Sequence, residues 1–187
     1  MFVFVGLGNP GQEYYITRHN IGWLFADFCQ TYLATKASNF ETKLKFQSQI
    51  ATIELPDRKI LLVKPITFMN KSGQAVRKII DFYRLDSQKE FFLIHDDLDL
   101  AFGDYKITRG KGPKAHNGVN SVVAAVNTED FVRLRIGIAN DLLPQIKNQG
   151  KSVADSFVLD EFTRSEQDKL AVIFQNALID LNQYTLR

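Results

Sequence analysis

The sequence predicts an α/β fold, in which a twisted, mixed and largely parallel sheet is sandwiched between helices. Short apolar runs typical of buried strands alternate along the chain with amphipathic segments of helical period, and this order is typical of α/β proteins. The chain has 187 residues, of which 45% are hydrophobic, and this is enough apolar material for one core. We therefore expect a single domain over residues 1–187.

The individual elements are predicted from periodicity and from residues typical of element ends. Asn20 precedes the first helical pattern as a good N-cap, and Thr163 with Glu166 forms a capping box before the last one. Residues 110–115 and 140–150 are expected to form loops. The predicted strands are Phe2–Val5, Phe46–Glu54, Lys59–Lys64, Phe91–Ile94, Tyr105–Arg109 and Arg133–Ala139, and the predicted helices are Ile21–Leu33, Ser72–Tyr83, Gly118–Val126 and Leu170–Leu181.

Composition excludes several classes of protein and one type of metal site. No apolar run approaches the roughly 18 residues of a membrane-spanning helix, and the N-terminus lacks the basic region of a secretion signal. Cys29 is the only cysteine, so an internal disulfide and a cysteine-rich zinc site are excluded, and we expect a cytoplasmic protein. Residues 1–154 carry 20 Lys and Arg against 15 Asp and Glu, whereas residues 155–187 carry 3 against 6. This distribution is compatible with ordinary surface charge or with a polyanion bound to one face.

The glycine-rich string Gly6-Leu7-Gly8-Asn9-Pro10-Gly11 follows the first predicted strand and fits a dinucleotide-binding pattern. Pro10 and the polar residues after it do not open the helix that a pyrophosphate needs. The acidic residue expected about 20 residues later is also missing, because Asp27 falls within a helical pattern. A nucleotide-dependent oxidoreductase is therefore a weak alternative, and Asn9 lies where α/β sheets place their ligands.

His19 and Asp96 are the candidates for acid–base chemistry. His19 precedes the first predicted helix, and Asp96 begins the acidic run after the strand Phe91–His95. If the sheet is parallel there, Asn9, His19 and Asp96 converge at one rim, where a histidine oriented by a carboxylate can act as a general base. The acidic residues could instead bind a divalent metal, but their spacing matches no ligand motif, so we expect neither metal nor cofactor.

The remaining polar residues favour attack by water on an ester. There is no G-x-S-x-G elbow, and Cys29 lies in a predicted helix interior, so a covalent nucleophile is poorly supported. Water attack needs a base and amide donors for the developing oxyanion. Asn9, Asn70 and Asn117 each lie beside the end of a predicted element, so they could be turn or cap residues or could line one pocket for a peptide.

A basic stretch follows the fifth predicted strand. No acidic residue interrupts it between Tyr105 and Gly118. It forms either a solvated loop, the commoner case, or a surface that contacts phosphates without reading bases. Its basic residues, with those of the strand that follows, are Lys106, Arg109, Lys111, Lys114, Arg133 and Arg135.

These motifs together resemble bacterial peptidyl-tRNA hydrolases over nearly the whole chain. The resemblance implies a cytoplasmic, usually monomeric enzyme, without a cofactor or an obligate protein partner, that hydrolyses the ester joining a peptide to the 3′ end of tRNA. The blocks that carry it are Gly6-Leu7-Gly8-Asn9-Pro10-Gly11, Thr17-Arg18-His19-Asn20-Ile21-Gly22, Thr67-Phe68-Met69-Asn70-Lys71-Ser72-Gly73, His95-Asp96-Asp97-Leu98-Asp99, His116-Asn117-Gly118 and Arg133-Leu134-Arg135-Ile136-Gly137-Ile138.

The resemblance also implies roles for individual residues. His19 matches the water-activating base and Asp96 its supporting carboxylate, while Asn9 matches an amide that supports the tetrahedral intermediate. The residues that match substrate-binding positions are Tyr14, Met69, Asn70 and Asn117, and those that match tRNA-binding positions are Lys106 and Arg135. Arg109 is added to the tRNA-binding set on charge alone.

The loop before His116 departs from the glycine- and serine-rich loop usual in that family. Pro113 and Ala115 should stiffen it, and Lys111 and Lys114 add charge. Asp160 also replaces a usual glycine. A catalytically inactive tRNA-binding protein of the same fold is therefore kept as the alternative function.

Overall fold

A computed structural model of the chain describes residues 1–33, 35–110, 112, 115–140, 143 and 156–185. Within these residues seven strands form one mixed sheet. The strands are β1 (Phe2–Gly6), β2 (Glu41–Lys43), β3 (Ser48–Glu54), β4 (Lys59–Pro65), β5 (Phe91–Ala101), β6 (Tyr105–Arg109) and β7 (Val132–Ala139). The α-helices are α1 (Ile21–Tyr32), α2 (Ser72–Tyr83), α3 (Asn117–Val126) and α4 (Arg164–Tyr184).

The strand order is β2-β3-β4-β1-β5-β7-β6. The four central strands, β4, β1, β5 and β7, are parallel to one another, and the outer strands pair antiparallel. The carboxyl ends of the central strands therefore meet at one edge of the sheet, where α/β proteins place their ligands. The predicted α/β fold with a mixed sheet between helices is confirmed.

Helices cover both faces of the sheet. On one face α1 contacts α4 through Phe25 and Phe174, whose ring centroids lie 5.6 Å apart in an edge-to-face arrangement. On the other face α2 packs closely against α3, since a Cβ at Gly73 would lie 2.1 Å from the carbonyl oxygen of Ser121. Side chains alternate along each strand. Phe92 of β5 therefore packs in the core on the face of α1 and α4, and Phe91 packs in the core on the face of α2 and α3.

The structure corrects the predicted end of β5. The strand continues to Ala101, because pairing with β7 extends past Ile94 and places Asp96 opposite Ile136 and Asp97 opposite Gly137. The acidic run therefore lies within the strand and not after it. The exposed three-residue strand β2 was not predicted, since it lacks apolar alternation.

Asn20 occupies the N-cap position of α1 as predicted but does not cap the helix with its side chain, whereas the predicted cap of α4 is confirmed in full. Asn20 makes no side-chain cap for α1, because its amide bonds to the backbone of Asn9 instead. Thr163 and Glu166 form the expected capping box before α4. None of the described helices is long and apolar enough to cross a membrane.

Candidate active site

His19 lies on a 3₁₀ turn, Arg18–Asn20, directly before α1. The backbone N–H groups of Arg18 and His19 donate to the carbonyl groups of Asp160 and Val158, at 3.0 and 2.7 Å. The turn is thereby tied to the segment that precedes α4. This anchoring positions the His19 ring at the carboxyl edge of the sheet.

Asp96 of β5 joins two histidines that come from opposite faces of the sheet. His19 Nδ1 and His116 Nε2 each lie 2.9 Å from the same oxygen, Oδ1 of Asp96. All three residues are buried. Burial alone would raise the pKa of the Asp96 carboxyl, but His19 and His116 together lower it well below its usual range. Asp96 is therefore a carboxylate that accepts hydrogen bonds from both rings.

The hydrogen bonds assign a tautomer to each ring. His116 Nδ1 accepts from the backbone N–H groups of Gly118 and Val119, so the ring hydrogen is on Nε2 and is donated to Asp96. In His19 the nitrogen that faces the carboxylate, Nδ1, carries the hydrogen, and the lone pair is on Nε2. His19 therefore has the arrangement that a general base requires, with Asp96 orienting the ring.

His116 is the residue that sequence reasoning missed, because the segment that contains it was interpreted only as a possible helix cap. In the structure His116, and not Asn117, is the N-cap of α3, and it also contacts Asp96. The only signal in the sequence was its position in the block His116-Asn117-Gly118, since no spacing relates it to Asp96.

The trio of His19, Asp96 and His116 also brings ligand-type atoms within 4.8 Å of one another. Both ring nitrogens that face the carboxylate carry hydrogens in the pattern described above, so they are donors and not lone pairs open to a cation. We interpret the trio as a hydrogen-bonded group. That no metal takes part stays a prediction.

Asn9 is held in a defined orientation beside the trio. Its side-chain oxygen accepts from the backbone N–H of Met69 at 2.8 Å, and its backbone exchanges two hydrogen bonds with the Asn20 amide. The oxygen therefore faces Met69, and the NH₂ group, which is a donor, is turned the other way. Such a fixed amide donor is suited to hold an oxyanion.

The predicted substrate-binding residues lie on two 3₁₀ turns, Gln12–Tyr14 and Met69–Lys71, and at the start of α3. Met69 is buried, Tyr14 is half-buried, and the side chains of Asn70 and Asn117 are exposed. Asn117 is the first residue of α3 and not a loop residue. That the amides of Asn9, Asn70 and Asn117 line one pocket stays a prediction.

The predicted tRNA-binding residues lie on the adjacent strands β6 and β7. Lys106 is exposed and lies directly opposite Arg135, whose Nε donates to Asp97 at 2.7 Å. Arg109, like Arg135, has partners within the protein, because it donates to the carbonyl of Gln88 and lies 3.7 Å from Asp130. Its charge is thus already shared within the protein.

Several residues that depart from the family pattern lie outside the described part of the chain. These are Lys111, Pro113 and Lys114. All but two residues of the predicted loop 140–150 also lie outside the described part. Asp160 is described, and its carbonyl group accepts from the backbone N–H of Arg18. The substitution at this position therefore still allows the anchoring of the His19 turn.

Comparison with known proteins places this arrangement in a family. The model of the peptidyl-tRNA hydrolase family matches residues 3–186. A peptidyl-tRNA hydrolase of Corynebacterium diphtheriae is 35% identical over 98% of this chain and 96% of its own length. One of a Thermoanaerobacter species is 39% identical over 97% of this chain and 92% of its own length.

A solved structure supports the same assignment. The crystal structure of peptidyl-tRNA hydrolase from Acinetobacter baumannii superposes with a TM-score of 0.78 and 28% identity, covering 99% of this chain and 94% of that one. Family model, relatives and structure agree over nearly the full length. The chain therefore belongs to the peptidyl-tRNA hydrolase family.

Proposed function

We propose that His19, oriented by Asp96, activates the water with which this peptidyl-tRNA hydrolase cleaves the ester between a peptide and the 3′ end of tRNA. The observation that carries the proposal is the 2.9 Å hydrogen bond from His19 Nδ1 to Asp96 Oδ1. It leaves Nε2 as the basic nitrogen, and it stabilises the imidazolium that forms when the ring takes a proton. Cleavage recycles tRNA from peptides that the ribosome has dropped.

The reaction divides into two proton transfers through one ring. Water gives a proton to His19 Nε2 while its oxygen bonds to the ester carbonyl carbon, and the Asn9 amide donates to the resulting oxyanion. The tetrahedral intermediate then breaks the bond between carbon and ribose oxygen. The ribose oxygen takes the proton from His19, and the peptide leaves with a new carboxyl group, which releases its own proton to the solvent.

The two parts of the substrate bind to different elements. We assign the peptide to the two turns and the start of α3, which carry Tyr14, Met69, Asn70 and Asn117. We assign the tRNA backbone to the β6–β7 edge, where Lys106 and Arg135 lie side by side. Phosphate contacts of this kind contribute affinity without base specificity. We further propose that the enzyme acts as a cytoplasmic monomer without a cofactor.

No observation favours the alternative of an inactive tRNA-binding protein, because the proposed base and its carboxylate are both present and hydrogen-bonded. The discriminating experiment is release of N-acetylated amino acid from N-acetyl-aminoacyl-tRNA with EDTA present. Wild type and His19→Ala are compared, with Gln12→Ala on the neighbouring exposed turn as a control. We expect His19→Ala to lose about 100-fold or more in rate and the control to keep the wild-type rate.

Each other outcome has a definite meaning. Near-normal activity in His19→Ala would show that His19 is not the base. A wild type that binds tRNA but releases no amino acid would establish the binding-protein alternative. Loss of wild-type activity in EDTA, with recovery on adding a divalent metal, would contradict the metal-free mechanism.

A further inference from the structure

His116, one of the two histidines that share Asp96, uses both of its ring nitrogens in hydrogen bonds. Nδ1 of His116 accepts from the N–H groups of Gly118 and Val119, at 3.1 and 3.3 Å, which open helix α3. Its lone pair is therefore occupied. A hydrogen on this atom would point at two N–H donors and at the positive end of the helix. The N-terminus of α3 thus fixes the ring hydrogen of His116 on Nε2.

His116 donates this hydrogen to Oδ1 of Asp96, the oxygen that also accepts from His19. Two donors then compete for the negative charge of one carboxylate oxygen. Each N–H that a carboxylate accepts weakens its hold on the other partner. Asp96 consequently stabilises a protonated His19 less than it would if it accepted no hydrogen bond from His116.

We propose that His116 is a positioning residue that tunes the proposed base: by taking part of the charge of Asp96, it lets His19 accept a proton from water at a lower pH. The inference rests on the proposed function, because it concerns the residue assigned to activate water. His116 acts here through Asp96, and contact with the substrate is not required.

His95, the third histidine, does not compete with His19 and His116 for the carboxylate of Asp96. Its ring lies edge-on to that of His116, with centroids 5.0 Å apart, and its Nδ1 donates to the backbone carbonyl of Asp96 at 2.7 Å. Burial is the main cause that lowers the pKa of His95 to about 3. His95 is therefore uncharged near neutral pH and supports the backbone of the trio.

Among the described residues, the charged groups near the trio have partners of their own, and Arg133, whose charge acts on His95, donates to the backbone carbonyl of Glu129 at 3.4 Å. Arg18 binds Glu166 through two hydrogen bonds, and Arg135 binds Asp97 at 2.7 Å. Asp160 approaches the His19 turn through its backbone carbonyl group. The charge of Asp96 is thus divided chiefly between the two histidines.

Two substitutions separate the contacts that His116 makes. His116→Asn keeps a good N-cap for α3, but the shorter side chain does not reach Asp96. His116→Gln places an amide donor about as far out as Nε2 and restores the bond to Asp96. For His116→Asn we expect the acid limb of the pH–rate profile to move up by about one pH unit, with a rate about tenfold lower below its midpoint. The plateau at higher pH should stay near wild type, and His116→Gln should keep the wild-type midpoint.

Two kinetic outcomes would overturn the proposal. An unchanged profile in His116→Asn would make His116 a helix cap and nothing more. A lower plateau or a higher KM with an unchanged midpoint would make it a substrate contact.

NMR of the free enzyme tests the inference independently of the proposed function. The chain has three histidines, so each ring can be assigned by substitution. In the wild type the ¹⁵N shifts of His116 should report the Nε2–H tautomer at neutral pH, and in His116→Asn the titration of His19 should move to higher pH. A doubly protonated or Nδ1–H His116, or an unmoved His19, would overturn the inference whether or not the protein cleaves peptidyl-tRNA. If the histidines titrate as expected but the protein does not cleave peptidyl-tRNA, only the proposed function is contradicted.

Discussion

The Arg18 guanidinium makes two parallel hydrogen bonds with the Glu166 carboxylate, each 2.9 Å long. Arg18 is 3% exposed and also lies over the rings of Phe157 and Phe162, at 4.7 and 5.0 Å from their centroids. One oxygen of Glu166 accepts in addition from the backbone N–H and the hydroxyl of Thr163. This ion pair joins the turn that carries His19 to the start of α4, so it supports the site as well as the fold.

Replacing Glu166 with Gln should destabilise the protein, because the buried Arg18 cation would lose its counter-charge. We expect a loss of about 3 kcal/mol in the free energy of unfolding, measured by urea denaturation. Asp168→Asn is the matched control, since Asp168 pairs with Arg164 on the exposed surface of the same helix and such pairs contribute little. Equal effects of the two substitutions would contradict the structural role of the Arg18–Glu166 pair.

The same pair should make stability depend on pH in the acid range. Burial alone would raise the pKa of the Glu166 carboxyl, but hydrogen bonds from Arg18 and Thr163 lower it below its ordinary value of 4.5. A lowered pKa in the folded state means that the stabilisation is fully present above pH 4.5 and is lost as pH falls. Urea midpoints between neutral and acid pH should therefore fall less steeply in Glu166→Gln than in wild type. Parallel pH curves would show that Glu166 does not contribute to acid sensitivity.

Removing the Lys106 charge should weaken tRNA binding and its dependence on salt. A phosphate contact releases counterions, so the slope of log affinity against log salt should fall by about one for Lys106→Ala. Lys59→Ala is the control, because Lys59 is paired with Glu54 at 2.8 Å on β4 and β3, away from the β6–β7 edge. Arg109→Ala should change the slope less than Lys106→Ala, since Asp130 already shares its charge. A salt slope unaffected by Lys106→Ala would exclude this residue from the tRNA surface.

The close approach of α2 to α3 should make Gly73 intolerant of a side chain. The added Cβ of Gly73→Ala would lie 2.1 Å from the Ser121 carbonyl oxygen, which forces the helices apart at a cost of about 2 kcal/mol. Gln74→Ala changes the next, exposed position of the same helix and should be close to neutral. Thermal and urea unfolding of the two variants measures the difference. A Gly73→Ala protein as stable as wild type would contradict the close packing of the helices.

Local patterns in the sequence account for most of the fold. The sequence predicts the buried strands and the four described helices because burial imposes a period of two or 3.6 residues on their side chains. The extension of β5 was not predictable in this way, since acidic residues are disfavoured in strands. It forms because β7 provides partners for Asp96 and Asp97, and such long-range pairing leaves no local pattern.

The sequence by itself determined that this is an α/β chain of the peptidyl-tRNA hydrolase type, and it identified His19, Asp96 and Asn9 as the residues to test. Only the tertiary structure showed that His116 shares an oxygen of Asp96 with His19, and that Asn20 holds Asn9 instead of capping α1. The physical reason is that these contacts join residues that are distant in the sequence. Parallel strands, with helices on both faces, bring them to one edge of the sheet. A hydrogen bond forms only if its donor and acceptor are placed to within a few tenths of an ångström. Periodicity along the chain carries no information about such placements.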